Sequence, residues 1–244
     1  MATEIHNPHD KLFKHLLGER ENAVSFLRGN LPESLVCHLD LDNLEVLQAS
    51  FIDAQYVQSE ADLLISVGIA GRPGFIYVLL EHQSSPDALL ILRLLSYMVR
   101  VWRRYTRENP EERRLPVILP LVVFHGPKGW QGPLDFQSLV EIPSDEFADY
   151  TPDFRIKLFD LSGPSGEALA GSAIGRIVSD ILGALGGPGF TERIRRAFET
   201  LNELAQSLNF SRYFEILSRY IGASCETPEK FRAGFVRHLL LRQF

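Results

Sequence analysis

The chain has 244 residues, 45% of them hydrophobic, a formal net charge of -6 and two cysteines. That length and apolar content can build a sizeable core. The acidic balance argues against a uniformly basic nucleic-acid binder but leaves room for a local patch, because clustered charge on one face is what steers a phosphate backbone. Cys37 and Cys225 lie far apart with no CxxC or CxxH spacing, which argues against a disulfide framework or a zinc site and fits a reducing cytoplasm. The start, MATEIHNPHDKLFK, lacks an apolar signal core. The longest apolar runs are broken by Arg93, Pro116 and Pro120, so neither export nor membrane insertion is expected.

Residues 9–29 carry apolar side chains at 12, 13, 16, 17, 24 and 27, a helical period interrupted near Gly18, which predicts one helix or two short ones starting near Pro8. Pro32 suits the first turn of a helix over 31–39, and 44–52 reads as a strand. Residues 61–68 and 75–83 are short apolar runs separated by Gly-Arg-Pro-Gly, the pattern of a β-hairpin. If Gly68 faces Phe75 across a six-residue loop, Asp62 faces Glu81, with Gln83 two residues further along the same side. Like charges opposed in a sheet are destabilising, and a buried unpaired carboxylate is costly, so packing does not require this pair. A divalent cation removes the penalty. The hard oxygens of Asp62 and Glu81, with the backbone carbonyl of His82 between them, suit Mg²⁺ or Mn²⁺ better than Zn²⁺; the alternative is two acids at exposed strand ends.

Ser84-Ser85-Pro86-Asp87 is a helix start, and the apolar pattern then runs through Trp102 and Tyr105. Arg93, Arg100, Arg104 and Arg107 recur at helical spacing on one side of that helix. The stripe either tracks phosphates or is a solvated surface whose arginines pair with nearby acids. Residues 117–124 form a buried strand in which Pro120 implies a bulge or an edge on one side; HGPKGWQGP is a loop, and 154–161 is a further strand. The order helix, strand, hairpin, helix, strand, strand indicates an α/β (α+β) core with a mixed sheet over residues 1–165. From 166 to 244 only helices are predicted, over 167–184 and from Thr191 onward, with Thr191 and Thr227 as caps. This reads as a helical subdomain for packing or for self-association as a homodimer.

Five ordered segments, HDKLFK (9–14), ADLLISV (61–67), YVLLEHQSSPD (77–87), RLLSYMVRVWRRY (93–105) and LPVILPLVVFHG (115–126), closely resemble the YhgA-like transposases, also called recombination-promoting nucleases, of the PD-(D/E)XK nuclease superfamily. The resemblance covers about residues 5–165. It implies a metal-dependent DNA endonuclease in which Asp62, Glu81 and Gln83 occupy the superfamily's Asp, Glu and Lys positions. Gln83 is the departure: an amide orients water or a phosphate oxygen but brings no charge and exchanges no proton near neutral pH. Asp10 on the first helix is a further candidate catalytic residue, and Lys14 a candidate phosphate contact alongside the arginine stripe. His9-Asp10 lacks the later ligands of an HD phosphohydrolase. His82 points away from Glu81, and His125, expected just past a strand, reads as a loop donor. A rival reading is a DNA-binding or protein-interaction module with a decayed site.

Overall fold

The computed structural model describes residues 8–47, 63–82, 87–126, 128–162, 173–184, 190–203 and 210–224. Residues 9–29 form the two shorter helices that the interruption near Gly18 allowed, α1 (Pro8–Leu17) and α2 (Arg20–Asn30). The break falls at Gly18, whose N–H donates to the Lys14 carbonyl at 2.9 Å and where a Cβ would collide with that same carbonyl. Pro32 immediately precedes a single turn, α3 (Glu33–Val36), much shorter than the helix expected over 31–39.

Strand β1 (Leu39–Leu47) starts earlier than the strand expected over 44–52; residues 48–52 lie outside the described residues. Its ladder with β2 shifts register between Asp40 and Glu45, so Leu41 and Leu44 are both buried and the two-residue alternation that would have revealed the strand is broken.

β2 (Leu63–Ile69) and β3 (Arg72–His82) form the expected hairpin, but its turn is Ala70-Gly71 and not Gly-Arg-Pro-Gly. Both turn residues have positive φ, 50° and 76°, the two-residue turn whose twist matches that of the strands. Gly68 therefore faces Pro73 instead of Phe75, and Leu63 faces Val78. Pro73 is tolerated because the ladder of β3 with its other neighbour begins only at Gly74. The correction moves the register by an even number of residues, so every side chain stays on the face expected of it.

Helix α4 (Leu90–Glu108) begins later than the cap expected at Ser84. Asp87 makes the turn before it, its carboxylate accepting from the Leu89 N–H and its carbonyl from the Leu90 N–H. β4 (Val117–His125) lies between β3 and β5 (Lys157–Asp160), parallel to both. Its pairing with β5 starts at Leu121, one residue past Pro120, the one-sided edge expected of that proline. β5 is shorter than 154–161 because the chain just before it bonds elsewhere: Phe136 and Ile156 donate backbone hydrogen bonds to Phe154 and Leu134, at 3.0 and 2.9 Å. Helices α5 (Ala173–Ala184), α6 (Phe190–Glu203) and α7 (Phe210–Ser224) follow; α6 begins at Phe190, ahead of the expected cap Thr191, and Thr227 lies outside the described residues.

The result is one mixed five-stranded sheet, ordered β1-β2-β3-β4-β5, antiparallel across the first three strands and parallel across the last three. Flanked by helices on both faces, it is compatible with a PD-(D/E)XK nuclease fold. One face presents Ile65, Val67, Ile76, Val78, Leu80, Leu121, Val123 and Phe159 to α1, α2 and α5–α7 in a single buried cluster. Each such side chain contributes about 1.5–3 kcal/mol of burial. A polar thread ties α7 into that cluster: Asn22 donates to the Leu16 carbonyl at 2.7 Å and to the Tyr213 hydroxyl at 3.1 Å, and Tyr213 donates to Glu19 at 2.7 Å. The other face presents Leu64, Tyr77, Leu79, Ile118 and Val122 to α4 and to Phe136 and Ile156 of the β4–β5 connection. No helix among the described residues is long and apolar enough to cross a membrane.

Candidate active site

The site lies on the α4 face, where β3, β4 and β5 all end. Side chains alternate along β3, so Tyr77, Leu79 and Glu81 point together toward α4. Glu81 is the anomaly in that row: it is 4% exposed at the end of a run of apolar side chains. Its charge is met from α4. Arg93, near the start of the helix, donates from Nη2 to Glu81 Oε2 at 2.5 Å and from Nη1 to Asp87 Oδ2 at 3.2 Å. One guanidinium thus bridges a buried carboxylate and a partly exposed one. Exposure of the side chains is 5% for Glu81, 29% for Asp87 and 37% for Arg93, so the cation is the most open member of the three. Burial works against the Arg93 charge, but the Glu81 carboxylate, helped by Asp87, outweighs it and holds the guanidinium above its ordinary value.

Across the strands, Glu81 is in register with Phe124, and Phe124 with Asp160. Adjacent strands lie about 4.8 Å apart, so Glu81 and Asp160 stand roughly 10 Å from one another. Asp160 is committed to holding the wall: its carboxylate accepts from the Trp130 N–H at 2.7 Å and the Ser162 N–H at 2.9 Å. The Trp130 ring in turn sits edge-on against Phe124, with centroids 5.2 Å apart. Sequence reasoning missed both Asp87 and Asp160. The signal for Asp160 was a lone acid ending an apolar strand, the same signal that picked out Glu81.

The other expected residues are distributed as follows. Asp62 and Gln83 lie outside the described residues. β2 begins one residue past Asp62, and in the described ladder that end of β2 lies beside the end of β3 that carries Glu81. His82 ends β3, in register with His125; its side chain is outside the described residues. His125 is the last residue of β4 and fully buried, a correction to its expected place in a loop. Asp10 is on α1 with its side chain undescribed, and Lys14, half-buried, lies in the last turn of the same helix. α1 covers the opposite face of the sheet, so Lys14 is not gathered with the arginines. Among the described residues no three acids, histidines or cysteines form a metal cluster.

Arg93, Arg100, Arg104 and Arg107 do share one flank of α4, spaced over about 21 Å of helix. Besides Arg93, Arg104 pairs with Glu108 at 2.7 Å, Arg100 lies over the Tyr97 ring at 5.5 Å from its centroid, and Arg107 is exposed. Arg93 and Arg104 thus each contact an acid, one buried and one exposed.

The family model described as "Putative transposase, YhgA-like" matches residues 7–209. The chain belongs to this family. It is similar to the recombination-promoting nuclease RpnD of Escherichia coli O157:H7, 36% identical over 160 residues, which is 64% of this chain and 57% of that protein. It is 34% identical over 119 residues to the recombination-promoting nuclease RpnC of Escherichia coli K12, covering 49% of this chain and 39% of that one. It is also 33% identical over 120 residues to the inactive recombination-promoting nuclease-like protein RpnE of the same strain, covering 49% and 40%. The chain thus spans little more than half the length of these relatives at most. No solved structure matches.

Proposed function

We propose that this chain is a divalent-cation-dependent nuclease that hydrolyses DNA phosphodiester bonds, related to recombination as its named relatives are. The observation that carries the proposal is the Glu81 carboxylate, buried at the end of a central strand and already drawing a cation to itself. Asp62 and Glu81 would hold Mg²⁺ or Mn²⁺; their hard carboxylate oxygens fit these ions. When bound, the ion supplies Lewis-acid polarisation of the phosphate and lowers the pKa of water. Gln83 orients the attacking water by accepting or donating a hydrogen bond. As the water oxygen bonds to phosphorus, the bond to the leaving sugar oxygen breaks; the attacking water gives up a proton to solvent, and the leaving oxygen takes one from it. Arg93 and Arg100 hold adjacent phosphates. Phe124, in register with Glu81 and packed edge-on by Trp130, keeps that side of the carboxylate apolar, which strengthens charge interactions there.

One observation favours a second reading. Arg93 supplies Glu81 with a partner from within the fold, which a buried acid needs whether or not it is catalytic. A relative named as inactive stands at nearly the same identity as one named as a nuclease. A DNA- or protein-binding module that retains the fold would preserve this ion pair. Plasmid nicking separates the two readings. The nuclease converts supercoiled plasmid in Mg²⁺ or Mn²⁺, loses this with chelator, and loses it in Asp62→Asn and Glu81→Gln; a module leaves the plasmid intact under every condition.

A further inference from the structure

The position of Arg93 between two carboxylates is more than charge neutralisation demands, since one buried acid needs one partner. Three features bear on what the second contact does. The guanidinium uses different nitrogens, Nη2 for Glu81 and Nη1 for Asp87, so the two contacts are simultaneous and either can be released without the other. Exposure rises from Glu81 to Asp87 to Arg93, so a group approaching from solvent meets the arginine first. Asp87 is fixed in place by the Leu89 N–H, which bonds its other oxygen, Oδ1, at 2.9 Å. It is a docking point at the mouth of the site that the helix start itself holds still.

We propose that Arg93 is an exchangeable positioning residue: it holds the Glu81 carboxylate in place while the site is empty, and swings onto Asp87 and the incoming phosphate when a divalent cation takes Glu81. This rests on the nuclease reading above. In it, the buried carboxylate is never left without a positive partner, a state that is strongly destabilising. The cation must compete with Arg93 for Glu81, and Asp87 eases that competition by offering the arginine somewhere to go. Cation binding and phosphate binding are thereby coupled through one side chain.

The experiment is a Mn²⁺ titration without DNA, followed by calorimetry or electron paramagnetic resonance, on the full chain and on Arg93→Ala, Arg93→Lys, Asp87→Asn and the double variant Arg93→Ala/Asp87→Asn. Melting curves identify which variants are folded. Arg93→Ala is expected to bind Mn²⁺ roughly fivefold or more tightly, because the competing charge is gone. Asp87→Asn keeps the oxygen that caps Leu89 and is expected to bind Mn²⁺ more weakly. The deciding quantity is the coupling: in the Arg93→Ala background, Asp87→Asn should have almost no effect, since no arginine is left to receive. A merely electrostatic role for Asp87 would weaken Mn²⁺ binding equally in both backgrounds, and that result overturns the proposal. Should Arg93→Ala fail to fold, Arg93→Lys and Arg93→Lys/Asp87→Asn serve in its place: a point charge that cannot bridge two acids should reduce the Asp87→Asn effect, and an undiminished effect overturns the proposal. Wild type that binds Mn²⁺ with no change in Arg93→Ala sinks the exchange while sparing the nuclease reading. No binding in any variant sinks both, and binding only in Arg93→Ala supports the exchange.

Discussion

The two faces of the sheet are built differently. One is sealed by α1, α2 and the three C-terminal helices over a single apolar cluster, and three of its polar groups, Asn22, Tyr213 and Glu19, hold helices to each other. The other is covered, among the described residues, by one helix and an irregular connection, and it carries the buried acid, the bridging arginine and the arginine flank. Along the edge of α4, Arg93 reaches both the buried Glu81 carboxylate and solvent. On the nuclease reading proposed above, stability and chemistry divide between the two faces, and changes on each should have effects of different kinds.

The largest effect is expected on the sealed face. Phe13, fully buried, should cost about 3–5 kcal/mol on truncation to Ala, read as a lower denaturation midpoint, with activity per folded molecule unchanged. Glu81→Gln should do the reverse: nicking falls on the order of 10³-fold, about 4 kcal/mol, while the melting temperature barely moves because the isosteric amide still accepts from Arg93. Comparable loss of both properties in either variant would erase the division between faces. Arg93→Ala falls between them, since it strands a buried carboxylate. With Arg93 more than a third exposed, water screens part of the loss, and about 1–3 kcal/mol of stability is expected to go. Replacing Arg100 and Arg104 together should change stability by under about 1 kcal/mol yet flatten the log–log salt dependence of DNA binding by about 0.9 for each phosphate no longer neutralised. The smallest effect is a gain: Ala70→Gly relieves a positive φ at the hairpin turn, far from Glu81, and should add about 0.5 kcal/mol without altering nicking.

Much of this was legible in the sequence because it rests on period. The apolar runs of β3 and β4 announce strands buried on both faces, and the alternation along β3 fixes Glu81 on the side of Tyr77 and Leu79 whatever the register. The register itself was not legible. Pro73 and Gly74 carry the stronger turn signal, yet the turn falls on Ala70-Gly71, because a proline is harmless on a strand before its second neighbour joins. β1 is displaced by an irregularity that puts Leu41 and Leu44 on the same side. At the site, an acid ending an apolar strand could be picked out by its cost, but its partner could not: Arg93 lies a loop and part of a helix away, and its spacing with Arg100 and Arg104 pointed outward to phosphates. Asp87 looked like part of a helix start, and it is one; that it also receives an arginine depends on how α4 leans over the end of β3.

That Glu81 is a cation ligand on the α4 face is the claim on which the rest turns. A crystal grown with Mn²⁺ and measured at the manganese absorption edge tests it most directly. The expected result is an anomalous peak within coordination distance of the Glu81 carboxylate, with Asp62 as a second ligand and Arg93 moved toward Asp87. Manganese absent from Glu81 at saturating concentration, with the Arg93 guanidinium still bonded to it, would contradict the claim.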